Sequence, residues 1–150
     1  MKGACPMAES GYPPIVPEFA VSDPRASIAW FEKLGFGVKG MATMPDGTIM
    51  HAELTRGDAL VMLGPAMGRP VGAPGLQLYM KLGDGIDAFY QAAKAAGIEI
   101  AEEITDQFWG DRTFTVRHPD GYRIMFAQTV RQVSMEEVQE YLKQFASTPA

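Results

Sequence analysis

The chain repeats itself, since Val16–Phe36 and Leu76–Ile98 follow one pattern at an offset of about 61 residues. Each segment reads as an alternating strand, an aspartate, an amphipathic helix and a closing glycine. In the first, Asp23 suits an N-cap and Pro24 suits position N1, where its missing N–H costs no hydrogen bond. Ile28, Phe31 and Leu34 then share one helical face, and Gly35 supplies the left-handed residue that ends the helix. In the second, Ile86, Phe89, Tyr90 and Ala93 keep helical spacing up to the stop at Gly97. Helices apolar on one side need something flat to cover, so each is expected to lie on a sheet.

Strand patterns separated by turn residues follow each helix. The first half gives 36–44, a Pro45-Asp46-Gly47 turn, 48–55, an Arg56-Gly57-Asp58 turn and 59–63. The second gives 98–104, 114–117, a turn over 118–121 and 122–127. The unit is βαβββ, written twice, with modules at about 15–64 and 76–128. Residues 65–75, rich in Gly and Pro and without periodicity, read as the linker, and 1–14 as a flexible tail. Beyond the repeat, Ser134 and Glu137 form a capping-box pair ahead of Val138, Tyr141, Leu142 and Phe145, which predicts a C-terminal helix over 133–146.

At 150 residues and 47% hydrophobic content, the chain can bury one good core and is too short for two ordinary independent domains. A formal charge of -5, with no cluster of Lys and Arg, gives no footprint for a phosphate backbone, so no nucleic-acid partner is expected. No apolar run approaches the roughly 20 residues that span a bilayer. A single cysteine, Cys5, makes no internal disulfide; with no apolar leader segment in view, the expectation is a cytoplasmic protein.

Two local strings carry a resemblance. Asp23-PRASIAWFEKLGF-Gly37 and the hairpin Trp109-GDRTFTVRHPDGYRIMF-Ala127 resemble the first-helix signature and the closing hairpin of the vicinal-oxygen-chelate superfamily, which contains glyoxalases, extradiol dioxygenases and bleomycin-resistance proteins. The resemblance covers about residues 15–128 and is nearest to the bleomycin-resistance-like branch. It implies an α+β fold in which the tandem βαβββ modules make a cupped, partly open barrel with helices outside. Alternation then sends Pro17, Phe19 and Val21 under the first helix and leaves Val16, Glu18 and Ala20 for the cup. Likewise Leu78, Met80 and Leu82 go under the second helix, leaving Gln77, Tyr79 and Lys81.

Catalytic relatives hold a divalent ion with His, Glu or Gln from the first and last strands of each module, because a metal that polarises neighbouring oxygens needs imidazole or carboxylate ligands and open positions. Carried onto this chain, those positions are Val16, Val61, Gln77 and Met125. One neutral amide does not hold a metal, so no metal and no other cofactor is expected; the alternative is a new half-site from His51 and Glu53, two residues apart on one strand. His118 opens a turn and is expected to accept a hydrogen bond there.

A cup without metal remains a concave surface for a small molecule. Its expected lining is Glu18, Met50, His51, Gln77, Tyr79, Phe108, Trp109, Arg112 and Met125, with Trp109 either a stacking wall or a pin for the hairpin. Trp30, inside the first helix, is expected in the core or at a subunit contact, and any one of the 10 Met is more simply core filler than pocket. The first reading is a metal-independent protein that binds an aromatic or antibiotic-like molecule, as in bleomycin resistance, and forms a homodimer. Two enzyme readings stand beside it: acid–base isomerisation with Glu18 as the catalytic base, and a lyase or dioxygenase with a rebuilt metal site.

Overall fold

The computed structural model describes residues 12–146. Most of the expected tail therefore lies outside the described residues, as does Cys5. The described chain is mixed α and β, with eight strands in two separate four-stranded sheets and three helices.

The first sheet is built from β1 (Glu18–Val21), β2 (Gly37–Thr43), β3 (Ile49–Arg56) and β4 (Ala59–Pro65), with α1 (Pro24–Lys33) between β1 and β2. Its strand order is β1-β4-β3-β2, with β1 parallel to β4 and the other pairs antiparallel. The second repeats this with β5 (Gln77–Leu82), α2 (Ile86–Ala95), β6 (Glu99–Asp106), β7 (Asp111–Arg117) and β8 (Arg123–Thr129), in the order β5-β8-β7-β6. The C-terminal helix α3 spans Met135–Ala146. The described residues form two compact units: one holds 12–74 together with the turn His118–Tyr122, the other holds Gly75–Arg117 and 123–146.

Local sequence explains the helices unequally. Asp23 caps α1 by accepting from Ala26 N–H at 3.1 Å, Pro24 begins the helix, and Gly35 takes φ +85° just after it. No side chain next to it caps α2. Its N-cap is Gly85 in the left-handed region, and the Ile86 N–H donates instead to Gln128 Oε1 on β8 at 2.9 Å. The partner that satisfies this helix end is 42 residues away, so no local pattern announces it.

Each core lies between one helix and one sheet face. In the first unit, Phe19, Val21, Ala52, Leu54, Val61 and Leu63 face Ile28, Phe31 and Leu34. Phe31 is fully buried, with Phe19, Trp30 and Phe36 around its ring at 4.9–5.6 Å. Burying an aromatic side chain of this size contributes about 3–5 kcal/mol relative to alanine. In the second unit Ile86, Tyr90 and Ala93 cover Phe114, Val116, Ile124 and Phe126, and Phe89 packs on Phe114 and Phe126.

Strand register moves the β4 position expected on the cup face from Val61 to its neighbour. Glu53 pairs with Met62 and Leu54 with Val61, so Val61, 3% exposed, points to the helix-covered side. The residue of β4 on the other face, beside Glu18 and Glu53, is Met62. Because side chains alternate with period two, an error of one residue in register moves a side chain through the sheet.

Candidate functional site

The face of each sheet that its helix leaves uncovered carries most of the polar chemistry. On the second sheet, register places Gln77, Tyr79 and Lys81 of β5 on this open face with Met125 and Thr129 of β8 and Asp111, Thr113 and Thr115 of β7. At its centre Asp111, with its side chain 8% exposed, is a carboxylate taken almost wholly out of water. Such a burial is costly unless the charge is compensated.

The compensation comes from four donor contacts. The Tyr79 hydroxyl donates to Asp111 Oδ2, Lys81 Nζ reaches both carboxylate oxygens at 3.1 Å, and the Thr129 hydroxyl donates to Oδ1 at 2.8 Å. Burial pushes the Asp111 carboxyl upward, but these donors outweigh it and hold the group below the ordinary carboxylate range. The phenol of Tyr79 moves the other way, raised first by burial and then by its bond to Asp111, so it remains a protonated donor. That same hydroxyl accepts from the indole N–H of Trp109 at 2.9 Å. The chain Trp109–Tyr79–Asp111 fixes two large rings against a buried anchor, and Tyr79 still exposes 45% of its surface.

Toward the start of β5 the polar groups are already engaged. Arg123 donates to Gln77 Oε1 at 3.4 Å and to Glu102 Oε1 at 3.1 Å, and Thr115 donates to the same Glu102 oxygen at 2.6 Å. Met125 lies between Tyr79 and Thr115 and offers an apolar surface.

The open face of the first sheet holds a second cluster. Glu53 is bonded to His51 Nε2 at 3.0 Å, and the Tyr12 hydroxyl donates to both Glu53 oxygens at 2.9 Å. The bond from His51 lowers the Glu53 carboxyl most; burial opposes it, and the Tyr12 bond and the charge of Lys39 add to the lowering. In the neutral imidazole that donates from Nε2 to Glu53, Nδ1 is left as the acceptor nitrogen. Glu18 belongs to this face, on the far side of Met62 from Glu53, and is exposed.

The expected lining therefore divides. Glu18 and His51 belong to the open face of the first sheet, and Gln77, Tyr79 and Met125 to that of the second, joined by Trp109 through its bond to Tyr79. Met50 sits where the β2–β3 register shifts, between the pairs Ala42–His51 and Thr43–Ile49, and is 36% exposed, so it is not part of the alternating lining. Arg112 faces the helix-covered side of the second sheet, donating to Asp106 at 2.6 and 3.1 Å and to Asp87 of α2 at 3.1 Å. Phe108 stacks on Tyr141 of α3, ring centroids 4.5 Å apart. Lys81 keeps the face that alternation gives it, whereas Asp111, Thr129 and Tyr12 are site residues the sequence pattern does not point to. Of these Asp111 still has a signal: with Thr113 and Thr115 it alternates with Arg112, Phe114 and Val116, a two-residue period that begins before the apolar run.

Residues 15–126 match the family described as the Glyoxalase/Bleomycin resistance protein/Dioxygenase superfamily. The chain belongs to this superfamily. An uncharacterised protein of Mycobacterium tuberculosis, Rv0887c, is 30% identical over 144 residues, covering 89% of this chain and 84% of its own. Among solved structures, TioX from Micromonospora sp. ML1 has 30% identity and a TM-score of 0.65, over 77% of this chain and 97% of that one. A bleomycin-binding protein in complex with bleomycin shares the fold at TM-score 0.61 and 22% identity, over 77% of this chain and 98% of that one.

Superfamily membership raises the question of its divalent metal, and the side chains here do not fit one at the inherited positions. Val16 and Met125 bring no suitable donor, the carbonyl of Gln77 is turned to a guanidinium, and the β4 residue on the open face is Met62. His51 and Glu53 are two donors bonded to each other. Among the described residues, no three His, Cys, Asp or Glu side chains gather into a group able to hold a metal ion. Nor, among these residues, is any helix long and apolar enough to cross a membrane.

Proposed function

We propose that this superfamily member is a metal-independent binding protein for a planar, aromatic or antibiotic-like small molecule, received on the open face of the second sheet. The observation that carries the reading is the Trp109–Tyr79–Asp111 chain. It holds two aromatic rings in place without using them to fill the core. Rings fixed in advance lose little freedom when a ligand stacks on them, which favours affinity. The ligand named for the bleomycin-binding relative agrees with this class, though at 22% identity that likeness concerns the fold. The donor set supports metal independence, and a cytoplasmic homodimer is part of the proposal.

The test is a fluorescence titration with glycopeptide, quinone and aromatic-polyketide ligands. Stacking on an indole contributes about 0.5–1.5 kcal/mol beyond area burial, so Trp109→Ala is expected to weaken binding several-fold. Trp30→Phe is the control, since Trp30 is a core residue 7% exposed and its loss is expected to lower stability and spare affinity. Indifference of affinity to Trp109 would move the site elsewhere. One tightly held divalent ion per chain in elemental analysis would overturn metal independence.

A second reading rests on the bond between His51 and Glu53. A carboxylate that fixes one imidazole nitrogen leaves the other to take a proton, which suits acid–base isomerisation. This assigns the base to His51 in place of Glu18, which is exposed. Its signature is deuterium exchange at carbon next to a carbonyl, measured over a panel of small 2-oxo compounds and lost in His51→Gln. A panel without exchange leaves the binding reading alone.

A further inference from the structure

The second unit contains a cavity of about 500 Å³ that the open face does not include. Asp106, Phe108, Gly110, Arg112, Arg131 and Tyr141 line it; Arg112 belongs to the helix-covered side of β7, and Phe108 packs edge-on against Trp109 with ring centroids 5.1 Å apart. A rigid floor underlies it. The Gly110 carbonyl accepts from Val130 N–H at 2.9 Å and from Arg131 N–H at 3.1 Å, and the Gly110 N–H donates to the Gln107 carbonyl at 3.0 Å. Gly110 has φ +101°, and a Cβ there would stand 2.2 Å from the Arg131 carbonyl oxygen, so a side chain would break the crossing that makes the floor.

The two guanidinium groups of this cavity differ. Arg112 is locked between Asp106 and Asp87, its charge already answered. Arg131, 58% exposed, has Glu137 as its ion-pair partner at 3.7 Å, and that carboxylate is 59% exposed. An exposed pair at that distance contributes about 0–1 kcal/mol, so Arg131 can turn to another anion at little cost. Beside it the parallel rings of Phe108 and Tyr141 supply an aromatic edge. One exchangeable guanidinium, one aromatic wall and a fixed floor describe a receptor for a flat anion.

We propose that this cavity is a second ligand site, separate from the open face, for a small planar aromatic carboxylate. The carboxylate replaces Glu137 on Arg131 in a bidentate contact, and the ring lies along Phe108 and Tyr141.

The probes are 2-naphthoate and its neutral analogue 2-naphthamide, followed on the full chain by calorimetry and by amide chemical shifts. Expected are 2-naphthoate shifts centred on Gly110, Val130 and Arg131, and an affinity at least about tenfold above that of the amide, the equivalent of one charge-assisted hydrogen bond. Arg131→Gln should remove that advantage without changing binding of the amide. Tyr141→Ala should weaken both probes, and Tyr79→Phe should change neither at this site. Shifts confined to Tyr79, Trp109 and Met125 would assign the probe to the open face and overturn the proposal. So would equal affinity of the two probes, indifference to Arg131→Gln, or no binding at about 10 mM, a concentration weak fragments reach.

Discussion

Asp111 is the residue on which the second sheet's open face depends, and its charge makes the dependence testable. Asp111→Asn keeps the shape but removes the ion that Tyr79, Lys81 and Thr129 address. Lys81 is half exposed and stays solvated, so the expected loss is that of charge-assisted hydrogen bonds, about 1–3 kcal/mol in urea unfolding, together with a shift in Trp109 emission. Because the Asp111 carboxyl is depressed in the folded chain, its contribution is present above the unfolded carboxylate value and is lost as pH falls through the folded one. His118 acts in a higher window. It is 2% exposed, its Nδ1 accepts from Asp120 N–H at 2.9 Å, and Nε2 lies 3.0 Å from the Ser27 hydroxyl, with Trp30 and Tyr122 against its ring. Burial lowers its pKa against the opposing charge of Asp120, so its contribution is complete above the unfolded value of about 6.5 and declines as pH falls below it. His118→Gln should flatten that part of the stability curve, measured by denaturant midpoints between about pH 7 and 5. Retention of the slope would assign it to another group.

At the scale of elements, the repeat, both sheet-covering helices and the C-terminal helix are legible in the sequence, because caps and apolar spacing are local. What is not legible is whatever depends on a distant partner. The cap of α2 comes from Gln128, and β7 starts at Asp111, three residues before the apolar run at Phe114, because Asp111 and Arg112 pair with Thr129 and Gln128. Polar residues there read as loop, although their polarity serves the open face and the ion pairs beneath α2. For the same reason the face of Tyr79 is legible from alternation, while its bonds to Trp109 and to the Asp111 anchor are not. The loop before β7 yields its own prediction. Gly110→Ala meets the Arg131 carbonyl at 2.2 Å in a conformation that side chains rarely adopt, so it should cost more than about 2 kcal/mol and lower the melting temperature. Gly47→Ala, also at positive φ but with open space around it, is the control and should cost about 1–2 kcal/mol from backbone strain alone. Equal losses at the two sites would mean that the loop gives way and that the floor it forms is not rigid.

For the whole molecule, α3 is the element whose packing within the chain is least sufficient. None of its residues is buried, and Met135, Tyr141, Leu142 and Phe145 expose 75%, 37%, 41% and 61% of their surfaces. Its docking includes the stack of Tyr141 on Phe108, while Leu142 and Phe145 leave apolar area in water. At about 25 cal/mol per Å² that area favours a cover, and a second copy of the same helix is self-complementary by symmetry. A helix of 12 residues is about 18 Å long and by itself falls short of the roughly 800 Å² per partner of a standard interface, so the dimer must recruit more surface than α3. The expectation is twice the chain mass in light scattering at micromolar concentration. Leu142→Glu with Phe145→Glu should weaken the dimer by setting like charges against each other, and deletion of residues 133–150 should give a monomer. A monomer for the unaltered chain at tens of micromolar would remove the homodimer from the proposed function. A dimer that survives the deletion would place the contact away from α3 and leave this apolar face for a different partner.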